Sequence, residues 1–403
     1  MTSRVVPVAV NPARWSIVAP HAPGKYLRAI LIAIASLLLL AACSDNNADR
    51  TQREPMPVAG VLGGEPSATE GFARVTGPRP FAFPQDHGPH PDYQHEWWYY
   101  TGNLHAQDGR RFGFQFTLFR IALTPMALPR DSAWATSQIY MGHFALTDAR
   151  NRRFYLFERF ARGALDLAGA QARPFRVWLE DWQAVGGERD MFPLRLSAAQ
   201  DGVAIELQLE QTRPLVLQGE DGYSRKSAQP GNASYYYSAT RLPTTGTITV
   251  DGRAVEVSGN SWLDREWSTS ALGPEQAGWD WFALQLDDGR DVMFYRLRNK
   301  DGTASAFSGG VLVRPDGSTQ TLAACDGVIE ERDHWTSAHS GTRYPSRWRL
   351  QLPALSLSVD VTPVIDDQEL DLSVRYWEGA VSVTGTNAGR DIQGSGYVEL
   401  TGY

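Results

Sequence analysis

Cysteine is nearly absent from this 403-residue chain, which has only Cys43 and Cys325. A disulfide framework is therefore excluded, and a hydrophobic core must supply the stability. Helical periodicity is missing too, because no stretch repeats its apolar residues at helical spacing for more than one or two turns. Long apolar runs are lacking; none reaches the roughly 18 residues that a membrane-spanning helix needs. Basic charge is in deficit, with 38 Lys and Arg against 45 Asp and Glu and a net charge of −7. Such a surface suits neither nucleic acid nor anionic lipid headgroups. A Gly-x-Ser-x-Gly elbow is also missing, and Ser261 has no helix-entry context, so a secreted hydrolase has little support. Asp86 and His87 are a poor base pair for activating water, since neighbours on a strand point to opposite sides.

The N-terminus does carry a signal. Lys25 and Arg28 precede a twelve-residue apolar run, 29–40, which ends in Leu40-Ala41-Ala42-Cys43. Basic region, short apolar core and small residues before a cysteine read as a bacterial lipoprotein signal peptide over 1–42. Cleavage before Cys43 with a diacylglyceryl anchor on its thiol is expected. Ser44 resembles the outer-membrane sorting pattern. The expected location is the cell envelope, lipid-anchored at the periplasmic face of the outer membrane. Loss of the four basic residues in 1–42 takes the net charge from −7 to −11. Residues 43–74 are polar and rich in Pro and Gly, as a flexible tether would be.

The remainder reads as strand after strand. Phe112, Phe114, Phe116 and Leu118 alternate with smaller or polar residues, the period of a half-buried strand. Similar runs cover 139–147, 153–160, 175–182, 203–210, 247–257, 279–286, 291–298, 348–361 and 391–400. Eight Asp-Gly pairs punctuate the chain and supply the positive φ angles of tight hairpins. Segments 96–120, 142–154 and 257–264 are echoed in the same order by 278–298, 309–321 and 392–399. In the last echo Trp262 aligns with Tyr397, and Asp264 with Glu399. Two copies of one all-β, antiparallel module are expected, over 75–267 and 268–403. Meanders of this length hide their sheet edges by closing into barrels, which leave room for one small apolar ligand.

The densest stretch is FPQDHGPHPDYQHEWWYYTGNL, which begins at Phe83. With YSRKSAQPGNASYYYSATRL and GNSWLDREWS it resembles the secreted AttH-like proteins, a group related to the carotenoid hydratases (hydroxyneurosporene synthases). The likeness covers about 80–403. It implies two tandem lipocalin-like barrels and a role with apolar isoprenoid or lipid-like molecules.

Within that frame His87, His90, His95, Glu96, Trp97, Trp98 and Tyr99 combine titratable groups with an aromatic wall, as ligand pockets do. A metal reading of His87, His90, His95 and Glu96 lacks both a helical spacing and a cysteine pair. Structural or substrate-contacting histidines are expected instead, with no metal and no cofactor. Tyr236 should face opposite to Tyr235 and Tyr237. Trp262, Asp264 and Glu266 should share one strand face, with Arg265 and Trp267 on the other. Trp279 and Trp281 should line the second barrel or the contact between domains.

Two functions follow. The first is an envelope lipoprotein that binds or transfers an apolar ligand in a lipocalin-type pocket, serving an ABC-type lipid exporter. The second is a hydratase adding water to an isoprenoid double bond, with Asp264 as the acid and Glu266 beside it. Alkene hydration needs a carboxylic acid kept neutral by burial and aromatic faces to stabilise a cation. A salt-bridged Asp264 that seals the barrel mouth is the structural alternative. No acid stands within 292–298, on the strand after the second module's Asp-Gly turn.

Overall fold

The computed structural model describes residues 56–57, 69–126, 131–270 and 272–403. Cys43, the expected signal sequence and most of the expected tether lie outside these residues. Strand is nearly the only regular structure among the described residues, and it forms two large antiparallel sheets. The alternating pattern dictates this, since each strand has one apolar face that only a second layer can cover.

The first sheet runs in the order Arg153–Arg162, Gln138–Asp148, Arg111–Ala122, His95–Ala106, Arg253–Ser270, Ala233–Val250, Val203–Leu209, Leu194–Gln200, Trp182–Val185, Phe175–Leu179 and Ala168–Ala172. Its two edge strands are consecutive in the chain, and the sheet curls until it nearly closes into a barrel. The interior is packed solid. Trp182 meets Phe144 and Phe116 edge-on at 5.8 and 6.3 Å, and Trp98, Tyr100 and Phe114 are buried in the same cluster. Aromatic side chains of this size fill much of a small barrel's interior.

The second sheet runs Thr319–Ala323, Gly309–Val313, Asp291–Asn299, Gln276–Leu286, Arg390–Leu400, Val374–Asn387, Leu357–Pro363, Arg343–Leu352 and Val328–Thr336. Strand for strand this is the order of the first nine strands of the first sheet. The three sequence echoes occupy matching places: 96–120 and 278–298 are equivalent hairpins, and 257–264 and 392–399 are the strands that pair beside them. Between the sheets the chain passes from Ser270 to Gln276.

Three expected runs are divided. The run 247–257 is a hairpin, because Asp251 and Gly252 both take positive φ and turn the chain between Ala233–Val250 and Arg253–Ser270. The run 348–361 is broken by a short 3-10 turn, Pro353–Leu355, and 175–182 by the turn before Trp182. In each case a turn interrupts an apolar run that periodicity reads as continuous.

The two sheets meet face to face across their central strands. A methyl group at Gly113 would lie 2.4 Å from the Ala380 Cβ, so the missing side chain there permits this close approach. Polar bolts fasten the contact. Asp291 is fully buried and receives Arg241 at 2.6 Å, Thr240 at 2.8 Å and Arg213 at 3.1 Å, all from the first domain. Arg111 reaches Ser382 at 2.5 Å, and Asn103 bonds the Gly396 carbonyl at 2.9 Å.

Candidate functional site

Outward-facing residues of the central strands do not all touch across this contact. Between them lies a cavity of about 790 Å³, part of it open to solvent. The first domain contributes Trp97, Tyr99, Phe119, Tyr236, Asp264 and Glu266. The second contributes Trp279, Trp281, Tyr295, Tyr376, Glu378 and Glu399, and Lys226 and Leu272 complete the wall with Leu297. The cavity is thus between the sheets and not inside a barrel core.

Alternation explains who faces it. On His95–Ala106 the residues Trp97 and Tyr99 point at the second domain, while Trp98 and Tyr100 enter the first core. On Arg253–Ser270 the residues Asp264 and Glu266 face the cavity, and Arg265 and Trp267 face away. Tyr236 lines the cavity, whereas Tyr235 and Tyr237 pack against Trp267.

Asp264 is 4 % exposed and accepts three hydrogen bonds: from Ser238 at 2.5 Å, Tyr236 at 2.7 Å and the Trp262 indole at 2.7 Å. Burial pushes its pKa up to about 7 against these donors, and the Glu266 charge adds to the rise. Trp281 in turn donates to the Tyr236 oxygen at 3.3 Å. Glu266 accepts from Ser234 and pairs with Lys226 at 3.2 Å. Burial opposes the Lys226 charge, but Glu266 outweighs it and holds the ammonium above its ordinary value.

Two more acids come from the second domain. Glu378 is fully buried, with one oxygen bonded by the Tyr99 hydroxyl at 2.7 Å and the other without a hydrogen-bond partner. Burial, with Glu399 and Asp264 nearby, pushes its pKa well above the carboxylate range. Burial likewise raises Glu399 to about 8, with Glu266 and Asp264 contributing. Neutral carboxylic acids beside aromatic faces are proton donors to an apolar guest.

The histidine segment does other work. Glu96 sits at the end of the first barrel in an ion cluster with Arg120 and Arg265 and accepts the His90 amide at 2.9 Å. Burial opposes its ionisation, yet the two guanidiniums hold its carboxyl well below the usual range. His90 bridges Asp86 and Glu96 at 3.2 Å each and stacks on Trp267 at 3.8 Å. The Arg265 guanidinium lies 3.9 Å over Trp98, whose indole donates to the His87 carbonyl. The His87 ring bonds the Tyr237 hydroxyl at 2.6 Å. His95 is buried, and both its ring nitrogens lack partners. This cluster clamps the 79–93 segment over the barrel end. Among the described residues no three His, Cys, Asp or Glu converge as a metal site.

Of the residues singled out in sequence, Trp97, Tyr99, Tyr236, Asp264, Glu266, Trp279 and Trp281 meet at the cavity. Trp262 stands just behind Asp264, in the wall of a small polar slot. His87, His90, His95, Glu96, Trp98 and Trp267 do not line the cavity. Sequence reasoning missed Glu378, Glu399 and Lys226 as site residues. The repeat held the signal for Glu399, because it aligned that residue with Asp264.

The model of the AttH-like family matches residues 74–403. The chain belongs to the AttH-like family. A crystal structure assigned to AttH from Nitrosomonas europaea is 36 % identical, with a TM-score of 0.73, and covers 82 % of this chain and 100 % of its own. Kievitone hydratase from Nectria haematococca shares the fold at 15 % identity and a TM-score of 0.63, covering 82 % of this chain and 96 % of its own. CghA with Sch210972 is similar at 14 % identity and a TM-score of 0.50, over 84 % and 97 % of the two chains. Among curated protein sequences none matches. At such identities the two latter likenesses concern the fold.

Proposed function

We propose that this protein adds water across a carbon–carbon double bond of an apolar isoprenoid or lipid-like molecule held between its domains. One observation carries the reading: Asp264, a buried carboxyl whose pKa burial pushes up to about 7, opens onto an aromatic-walled cavity. Its O–H bond breaks as a C–H bond forms on the alkene, and the cation is stabilised by the faces of Trp281 and Tyr236. Water then adds to the cation, and its surplus proton passes to a cavity carboxylate.

A carrier of apolar molecules gains nothing from four carboxyl groups in its cavity, whose desolvation costs folding energy. This reverses the order in which the sequence ranked binding and hydration. Transfer of an apolar ligand stays as the second reading, supported by the walls formed by Trp97, Phe119 and Trp279. The lipid anchor at Cys43, the outer-membrane location and service to an ABC-type exporter belong to the proposal as well. Loss of palmitate labelling in Cys43→Ser tests the anchor.

The deciding experiment offers isoprenoid alkenes in labelled water to the wild type and to Asp264→Asn. Binding should survive the substitution, while water addition falls by about 100-fold or more. Unchanged turnover in the variant removes Asp264 as the acid. Tight binding by the wild type without conversion favours the carrier.

A further inference from the structure

One wall of the cavity has a second polar layer behind it. Tyr376 and Phe119 form the wall, and His143 lies directly behind both, with ring centroids 5.6 and 5.4 Å away. The Tyr376 hydroxyl is 2.7 Å from His143 Nδ1, and His143 Nε2 is 3.0 Å from the Glu158 carboxylate. His143 and Glu158 are direct partners on adjacent strands of the first domain, while Tyr376 belongs to the second. His143 is fully buried, and the Glu158 side chain is 16 % exposed. Ser373 fixes that carboxylate from the second domain at 2.6 Å.

The geometry assigns the tautomer. A carboxylate at Nε2 requires the N–H there, which leaves Nδ1 bare to accept the Tyr376 proton. Gln115 Nε2, 3.4 Å away, donates to the same phenol oxygen. The order Glu, His, hydroxyl is that of a base-activated oxygen, with Tyr in the place of the usual Ser.

We propose that Glu158, His143 and Tyr376 form a proton-storing triad, with Tyr376 as the group that exchanges a proton with water or ligand in the cavity. It rests on reading the cavity as a proton-transfer site. An O–H bond of the attacking water breaks and a new Tyr376 O–H forms, while the former Tyr376 proton moves to Nδ1. The imidazolium is held by Glu158, which stays ionised. Return of that proton through Tyr376 to a cavity carboxylate restores both the triad and the acid. His143 and Glu158 act through Tyr376 and are positioning residues. The titratable groups facing Tyr376 are Glu378 and Glu399 across the wall and Glu158 behind His143.

The test uses the full chain in detergent and has two readouts. In ¹⁵N-histidine NMR, the neutral ring of His143 should carry its proton on Nε2, and this preference should weaken at least tenfold in Glu158→Gln. An Nδ1–H tautomer, or a ring indifferent to Glu158→Gln, overturns the triad. The second readout is deuterium uptake by geranylgeraniol from D₂O. Uptake should fall at least tenfold in His143→Gln and Tyr376→Phe, and the pH profile should move. The glutamine can keep both hydrogen bonds, so a merely structural role would leave rate and profile unchanged, and that result also overturns the proposal. Should the wild type take up no deuterium, the hydration reading fails with this probe, and the tautomer and its response to Glu158→Gln decide the triad alone.

Discussion

Asp264 and Glu399 face one cavity from equivalent positions of the two sheets. Asp264 pairs in register with Tyr99, and Glu399 pairs with Trp281. The repeat that aligned the two acids in sequence therefore also brings them together in space. Duplication of one module has placed two carboxyls, each beside an aromatic, on the walls that the copies turn towards each other. Burial raises both, Asp264 to about 7 and Glu399 to about 8.

These two acids set a pH dependence of stability. Their folded pKa values exceed the unfolded ones, so the native state binds more protons and loses stability as pH rises through the window. His87 and His95 act oppositely below it: burial lowers both to about 4, so stability is gained as pH rises from about 4 to about 6.5. Above about 6.5 the acids act without this compensation. Tm should fall between about pH 6.5 and pH 8, and Asp264→Asn with Glu399→Gln should flatten that fall. Scanning calorimetry across the range checks it.

Arg265 and Arg120 compensate the buried charge of Glu96. Arg265→Met leaves that carboxylate half-paired and strips a guanidinium from Trp98. A loss of about 3–5 kcal/mol is expected, the cost of breaking a buried pair. The double variant with Glu96→Gln should recover part of it in urea unfolding. Simple additivity would show that the charges are not coupled.

Asp291 is the corresponding bolt between the domains. Asp291→Ala strands the Arg213 and Arg241 guanidiniums in a contact that excludes water. The domains should loosen, with proteolysis between Ser270 and Gln276 rising at least tenfold while each barrel keeps its near-UV signal. Unaltered proteolysis would show that the apolar contact suffices.

Three tryptophans, Trp97, Trp279 and Trp281, line the cavity. An apolar guest should change their emission on binding. Trp279→Ala should weaken binding about tenfold, in keeping with about 1–2 kcal/mol for one lost aromatic contact. Fluorescence titration with a long-chain isoprenoid measures it, and an unchanged affinity would place the ligand elsewhere.

The sequence by itself determined the all-β class, the duplicated module and which strand neighbours lie on opposite faces. These follow from alternation and Asp-Gly turns, which are local. Alternation set Tyr236 apart from its two neighbours and Asp264 from Arg265. The aromatic and acidic blocks supplied seven of the cavity residues, all of them on strands flanking the contact. Tertiary structure decided what the histidine segment does, because only packing reveals that Glu96 is neutralised by Arg120 and Arg265 and that His90 stacks on Trp267, all distant in the chain. It also decided where the cavity lies. Glu378, Glu399 and Tyr376 come from the second sheet and reach the site by docking against the first. A carboxyl becomes a proton donor only when that docking removes its water, and no local pattern records which surface will be covered.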